Sequence, residues 1–108
     1  MAGVPSPGDI CYCRFEGPIK SRPVLILSRS ELNAVRENVI VALIARTVRN
    51  IPLEIPVGKA EGLPKEGVAS LGGIHTVPKA MLSGKKGEIS SEKLERVGKG
   101  IRLIFGIG

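Results

Sequence analysis

The chain has 108 residues, of which 16 are Lys or Arg and 10 are Asp or Glu, so its formal net charge is +6. This length fits a single domain over residues 1–108 that buries about two-thirds of its unfolded surface. The positive charge favours a polyanionic partner such as a nucleic acid. Aromatic residues make up only 3% of the chain, which argues against the base-stacking platform of an RRM or a single-strand-binding OB-fold.

Glycine and proline are frequent, with 14 and 8 copies, and the apolar runs are short and rich in Val and Ile. Both features favour a small β-rich barrel. The longest uncharged apolar run, Val39 to Ala45, has seven residues, far short of the roughly 20 needed to span a bilayer. The segment from Met1 to Asp9 lacks the basic start and apolar stretch of a signal peptide. We therefore expect a cytoplasmic protein with no membrane partner.

Two cysteines, Cys11 and Cys13, are separated by one residue. In a strand they point to the same face, where a disulfide between them would be strained. A zinc site needs three or four ligands, and His75 is the single histidine. We expect two reduced, partly buried cysteines, no metal site and no cofactor.

The first half of the chain predicts strands and one short helix. Val24 to Leu27 and Val39 to Ile44 are runs of branched apolar residues, which are typical of strands covered on both faces. Ser28 and Glu31 fit the S-x-x-E capping box at the start of a helix. In order, the predicted elements are a loose arm over Met1 to Pro7, a strand from Ile10 to Phe15 with Cys11, Cys13 and Phe15 on one face, the strand Val24 to Leu27, a helix through Arg36, the strand Val39 to Ile44, and an edge strand from Leu53 to Val57.

The second half predicts shorter strands and a C-terminal helix. Gly72 and Gly73 separate two strand pieces and suit a bulge or a close backbone approach. Ser90 caps the helix, and Gly98 and Gly100 weaken it by about 1 kcal/mol each, so it should depend on packing against the sheet. In order, the elements are a turn-rich crossing over Gly58 to Gly67, the strand pieces Val68 to Leu71 and Ile74 to Val77, a short strand or turn at Met81 and Leu82, and a helix with the apolar stripe Leu94, Val97, Ile101 and Ile104.

Arg22 stands directly before Pro23, at the start of the second predicted strand. Because proline cannot donate a ladder hydrogen bond, it is tolerated only where such a strand begins, and this leaves the Arg22 guanidinium at the mouth of the sheet. A permanently charged planar fork at a strand end suits a phosphate group. The alternative is an arginine that is simply solvated at the end of a loop.

Seven short stretches, spread from Gly8 nearly to the C-terminus, form an ordered set. They are G-D-I from Gly8, R-P-V-L-I-L-S from Arg22, L-N-A-V from Leu32, V-I-V-A from Val39, R-N-I-P-L-E-I-P from Arg49, E-G-L-P-K from Glu61 and S-S-E-K-L from Ser90. Each stretch alone is a weak signal, but the ordered set is specific. In this set the chain resembles the MazF/PemK toxins of type II toxin-antitoxin systems.

The resemblance implies a mainly β fold, namely a small SH3-like antiparallel β-barrel of the MazF, PemK and CcdB type with short helices and a C-terminal helix. It also implies a homodimer that acts as a sequence-selective, metal-independent endoribonuclease on single-stranded RNA such as mRNA, and an acidic antitoxin protein that neutralises it. Such enzymes drive attack of a ribose 2′-OH on the adjacent phosphate. That chemistry needs a group that takes the 2′-OH proton, a donor to the leaving oxygen, and positive charge near the phosphate.

The resemblance also suggests site residues. The arginine of the family's R-P-V motif corresponds to Arg22, which takes the role of phosphate clamp or proton donor. Thr47 matches a second threonine common in relatives and becomes a catalytic candidate, although it could be an ordinary strand-end residue. His75 titrates near neutrality and could supply acid or base, although packing or a dimer contact would explain it equally well. Three further cations are expected to bind RNA: Lys20, Arg46 and Arg49.

The chain departs from the family pattern at several positions. Ala45 stands where a threonine or serine usually follows the second buried strand, and an alanine cannot donate or accept a hydrogen bond with its side chain. Gly72 and Gly73 replace an acidic residue and a glutamine, and the loop from Glu16 to Ser21 is several residues shorter than usual. These losses together argue for altered specificity or for lost catalysis.

Three hypotheses therefore stand at this point. The first is an endoribonuclease toxin with Arg22 as its anchor and Thr47 or His75 assisting. The second is a catalytically impaired family member that binds RNA, gyrase or antitoxin without cleavage, since a gyrase-poisoning toxin shares this barrel and also ends in an aromatic-Gly-Ile tail, here from Phe105 to Ile107. The third is an unrelated small basic barrel.

Overall fold

A computed structural model describes residues 3–15, 21–47, 49, 51 and 53–108 of the chain. Within these residues, six strands form one antiparallel sheet in the order β4-β5-β3-β2-β1-β6. The helices and strands, with two short 3-10 turns, are β1 (Asp9–Cys13), β2 (Arg22–Ile26), α1 (Ser30–Val35), β3 (Asn38–Ala45), β4 (Glu54–Val57), a turn at Lys59–Glu61, β5 (Gly67–Pro78), a turn at Lys79–Met81, β6 (Gly87–Glu88) and α2 (Ser91–Phe105).

The two central strands, β2 and β3, are buried on both faces, as their unbroken apolar runs predicted. On one face, Leu25 and Ala42 belong to a core cluster that α2 covers. On the other face, Val24 and Val41 pack in a second cluster that contains both cysteines. Cys11 and Cys13 are free thiols, as predicted, but they are fully and not partly buried. Burial of these residues supplies most of the drive to fold.

The sheet curls until the segment that follows β4 meets the opposite edge of the sheet at β6. A Cβ placed on Gly87 would collide with the carbonyl oxygen of Glu61, and one on Gly62 would crowd the carbonyl oxygen of Lys86. Gly62 also has φ +94°, which only glycine adopts without strain. The close approach of the two edges closes much of the sheet on itself. The prediction of a small SH3-like antiparallel barrel with short helices and a C-terminal helix is confirmed.

Helix α2 begins and packs as its sequence predicted. The Ser90 hydroxyl accepts a hydrogen bond from the backbone N–H of Lys93 at 3.1 Å, which satisfies one of the free donors of the first turn. The predicted stripe packs against the first core cluster, with Val97 buried. Lys93 then ties α2 to the sheet edge, because its Nζ donates to the carbonyl oxygen of Pro56 at 2.7 Å and to Oε2 of Glu61 at 2.9 Å.

The capping box predicted at Ser28 is wrong. Helix α1 begins at Ser30 with no side-chain cap, because the Ser28 hydroxyl instead donates to Oδ1 of Asn33 at 2.6 Å and accepts from the backbone N–H of Ile40 at 3.0 Å. Asn33 is fully buried. Its amide also donates to the carbonyl oxygen of Pro5 at 2.8 Å, so the described part of the predicted loose arm is tied to α1 by way of a buried Pro5.

Two other predictions need adjustment. The two predicted strand pieces around Gly72 and Gly73 are one strand, β5, whose register against β3 shifts between Ala42 and Ile44. The irregularity therefore lies where the glycine pair predicted it, but it does not end the strand. Strand β6 was not predicted, since two residues carry no periodic pattern. Among the described residues, no helix has the length and apolar character that a membrane crossing needs.

Candidate functional site

A groove with a volume of about 620 Å³ opens at the end of the sheet where β2 begins and β3 ends. Its floor is built by one residue from each of three neighbouring strands. Tyr12 of β1 pairs with Pro23 of β2, and Ile44 of β3 follows Leu43, which pairs with Val24 of β2. All three residues line the groove, so its floor is apolar and is carried by the rigid sheet.

The rim of the groove is polar and mostly positive. Arg22 comes from the start of β2, Arg46 follows β3, and Lys65 comes from the crossing between β4 and β5. No ion pair between described residues involves any of these three cations. The acid in the lining, Glu66, accepts a hydrogen bond from the backbone N–H of Lys59 at 2.8 Å. The rim therefore presents more positive than negative charge, as a phosphate-binding surface requires.

Arg22 is the first residue of β2 and lies opposite Cys13 in the ladder. It is partly buried and faces the groove. Because Pro23 cannot donate to a neighbouring strand, the pairing of β2 with β3 begins only at Val24, and Arg22 lies at the end of the strand. The structure therefore places Arg22 at the mouth of the sheet, where its sequence context predicted it.

Ala45 and Thr47 both line the groove at the end of β3. Thr47 is exposed, and its hydroxyl is the one available for hydrogen bonding at this strand end because Ala45 lacks one. Gly67 approaches closely from β5, since a Cβ at that position would collide with the carbonyl oxygen of Ala45. Arg22, Arg46 and Thr47 are thus brought together in one groove.

Of the other two cations predicted to bind RNA, Arg49 does not line this groove. Arg49 is exposed, but its backbone N–H donates to Oε1 of the buried Glu54 at 2.8 Å, and its Nε lies 3.8 Å from Oε2 of the same carboxylate. Part of the Arg49 charge is therefore balanced within the chain. Lys20 lies outside the described residues.

His75 lies in a different, smaller hollow of about 280 Å³, next to Arg14 and Phe15. This hollow also contains Cys13 and Val77, which belong to the second core cluster, whereas the groove is lined by residues of the first cluster. Arg22 and His75 therefore line separate hollows. Within one chain, His75 is not brought to Arg22.

Sequence reasoning missed Tyr12 and Lys65 as groove residues. Tyr12 could have been found, because strict alternation with Cys11 and Cys13 puts its ring on the opposite face of β1. Lys65 carries no such signal, since it lies in an irregular crossing whose position depends on the curl of the whole sheet.

Comparison with known proteins identifies the family. The family profile described as "PemK-like, MazF-like toxin of type II toxin-antitoxin system" matches residues 6–105. The chain belongs to the PemK/MazF-like toxin family. The match covers almost every element of the fold, from the turn before β1 to the end of α2.

Individual relatives agree with this assignment. The endoribonuclease MazF3 of Mycobacterium tuberculosis is 42% identical over 59 residues, which are 55% of this chain and 57% of that protein, so the match spans little more than half of the curated relative. The structure of the M. tuberculosis toxin MazF-mt6 is 30% identical, with a TM-score of 0.83 over 93% of this chain and 98% of the other.

More distant structures share the fold. A MazE-MazF complex from Deinococcus radiodurans is 20% identical, with a TM-score of 0.84 over 97% of this chain and 98% of the other. A mycobacterial endoribonuclease in complex with its cognate antitoxin is 21% identical, with a TM-score of 0.82 over the same shares of the two chains. The PemK/MazF fold is thus preserved in this chain at low sequence identity.

Proposed function

We propose that this chain is the toxin of a toxin-antitoxin pair. It is a sequence-selective, metal-independent endoribonuclease that cleaves single-stranded RNA, with mRNA as its main substrate. The observation that carries the proposal is the groove, where Arg22 and Arg46 have no carboxylate partner among the described residues and share one lining with Thr47. Family membership supports the reaction class, and RNA is favoured over DNA because only RNA carries the attacking 2′-OH.

In the proposed reaction, the ribose O2′ forms a bond to the adjacent phosphorus and the bond from phosphorus to O5′ breaks. The 2′-OH proton passes to a base, and a proton is delivered to the leaving O5′, which leaves a 2′,3′-cyclic phosphate and a free 5′-OH. Arg22 stabilises the negative charge that builds on the phosphate oxygens, and Thr47 donates a hydrogen bond to one of them. For His75 to transfer a proton, a second copy of the chain must bring its His75 to this groove.

The proposal includes a homodimer and an acidic antitoxin protein. An acidic, initially disordered segment of the antitoxin would lie over the positive rim of the groove and exclude RNA, and charge complementarity would speed its capture. Because its proposed substrate is mRNA, we place the protein in the cytoplasm.

The test is cleavage of a long single-stranded RNA by purified protein in EDTA, with mapping of the ends. We expect cyclic phosphate and 5′-OH ends. Arg22→Ala should lower the rate by about 100- to 1,000-fold, which is typical for the loss of one preorganised charge-stabilising group, with unchanged thermal unfolding. Arg29→Ala is the matched control, since Arg29 is an exposed arginine outside the groove that pairs with Glu31. Equal rates for both variants would disprove the role of Arg22.

A second candidate is a family member that binds its target without cutting it. The observation that favours it is Ala45, which lines the groove at the position where relatives carry a hydroxyl, together with the unusual Gly72 and Gly73. Intact RNA that binds and is released as salt rises would support this candidate over cleavage. Stalled gyrase cleavage complexes would indicate that gyrase is the target.

A further inference from the structure

Tyr12 is an aromatic side chain in the groove that the proposed chemistry does not use. It is partly exposed on the floor, next to Pro23 in the neighbouring strand. Among the described residues, the Tyr12 hydroxyl forms no hydrogen bond. The one side-chain hydrogen bond that involves Tyr12 is donated by its backbone N–H. The ring is therefore open to a ligand in the groove.

The backbone of Tyr12 is held from both sides. Its N–H donates to Oγ of Ser83 at 2.9 Å, and its carbonyl oxygen accepts from the N–H of Ser83 at 2.7 Å. The residue also pairs with Pro23 inside the sheet. A tyrosine side chain has only two rotatable bonds to order, so this ring is largely preorganised for binding.

Charges around the ring specify what kind of ligand would lie on it. Arg22, Arg46 and Lys65 line the same groove as Tyr12 and form no ion pair with described residues. A flat apolar surface flanked by separate cations suits a flat base flanked by phosphates, and aromatic rings stack every nucleobase. The volume of about 620 Å³ lies within the range of roughly 300–1,000 Å³ that is typical of ligand pockets.

We propose that the groove contains a nucleobase subsite in which Tyr12 stacks on a base next to the phosphate bound by Arg22, while Lys65 binds a second phosphate of the same strand. The proposal rests on the proposed function only in taking RNA as the ligand. It assigns Tyr12 to binding and not to bond breaking. Loss of the ring should therefore raise KM with little change in kcat.

The test separates binding from cleavage by means of a probe that cannot react. The probe is a short single-stranded RNA that is 2′-O-methylated throughout and spans the site that wild-type protein cuts, or a randomised pool of such RNA if nothing is cut. Tyr12→Ala should weaken its Kd by about 5- to 150-fold, and Tyr12→Leu should weaken it similarly because leucine fills the floor without a π-face. Tyr12→Phe should bind as wild type does.

Two further measurements sharpen the test. Phe105→Leu removes an exposed aromatic ring, 61% accessible, outside the groove, and should leave the Kd unchanged. Lys65→Gln should reduce the slope of log K against log salt by about 0.7, the value for one phosphate contact on a single strand. With 2-aminopurine at successive probe positions, fluorescence should be quenched at one position by wild-type protein and not by Tyr12→Leu.

Unchanged binding of both Tyr12→Ala and Tyr12→Leu would overturn the subsite, as would equal weakening by Phe105→Leu. If wild-type protein cuts RNA and the Tyr12 variants bind the probe normally, the subsite fails and the endoribonuclease remains. If nothing is cut but probe binding depends on Tyr12, the subsite is upheld and the proposed cleavage fails. Tyr12→Leu keeps the apolar contacts of the floor, so it covers the case in which Tyr12→Ala does not fold.

Discussion

Gly98 and Gly100 of α2 offer a sharp test of the packing, because the same substitution should have different effects at two neighbouring positions. Alanine is favoured over glycine in a helix interior by about 1 kcal/mol, so both Gly→Ala changes gain that amount. At Gly98 the new Cβ would meet only the end of the Arg102 side chain, at 3.5 Å. We therefore expect Gly98→Ala to raise the free energy of unfolding by about 1 kcal/mol.

At Gly100 the added methyl would lie 2.4 Å from Cδ1 of Leu71, whereas two carbon atoms pack at about 3.5–4.0 Å. Leu71 is 1% exposed and cannot turn away into solvent. Forcing an extra methyl into such a core costs about 1–3 kcal/mol. Because the helix term is the same for both variants, Gly100→Ala should be about 1–3 kcal/mol less stable than Gly98→Ala.

Urea unfolding followed by circular dichroism measures this difference, at one fixed protein concentration because association would add to the apparent stability. In thermal unfolding, each kcal/mol should shift Tm by about 4–8 °C. A Leu71→Ala background supplies the control, since Gly100→Ala should become stabilising once the opposing side chain is gone. If the two glycine variants are equally stable in the wild-type background, the contact inferred between α2 and β5 is wrong.

Other predictions concern buried polar groups and thiols. Burial raises the pKa of Glu61, but the hydrogen bonds from Lys93 and a backbone N–H outweigh it and hold the pKa below 4.5. The ionised carboxylate therefore stabilises the fold above pH 4.5, and this stabilisation is lost as pH falls through the lower folded pKa. Urea midpoints measured between neutral pH and about pH 3 should fall more for wild type than for Glu61→Gln. Asn33→Ala should lower the free energy of unfolding by about 1–3 kcal/mol, because it leaves buried partners unpaired, and an unchanged urea midpoint would contradict this. Ser90→Ala should lower it by about 0.5–2 kcal/mol through loss of the cap, as measured by thermal unfolding. Burial, and to a lesser extent the charge of Asp9, raise the pKa of Cys11 to about 11. Iodoacetamide should therefore label Cys11 at neutral pH only as fast as the protein unfolds. Rapid labelling of the folded protein would disprove the burial of this thiol.

Strands β2 and β3 and the second helix could be predicted from local sequence because their signals do not compete with anything distant. The runs from Val24 and Val39 have no polar position to expose, and Ser90 begins an apolar stripe of helical period. Ser28 shows the limit of such reasoning. It fits a local helix cap, but the buried Asn33 five residues later takes its hydroxyl, and no local pattern indicates which partner prevails.

The groove was only half predictable for a related reason. Arg22 could be placed because Pro23 fixes where the strand begins, which is a local steric fact. Lys65 and Tyr12 meet only after the sheet has curled and three strands have set their register, so their proximity is a property of the fold. His75 was grouped with Arg22 by chemistry, but the two residues line separate hollows, and no local pattern in the sequence indicates that separation.

The outer strand β4 has a consequence for how this protein behaves at high concentration. An unprotected strand edge recruits strands from other molecules and so begins aggregation. Pro56 offers no N–H to an incoming strand, and its carbonyl oxygen is already bound by Lys93. The midpoint of this edge can therefore neither donate to nor freely accept from a second chain, so β4 is a poor template for the addition of a strand from another molecule.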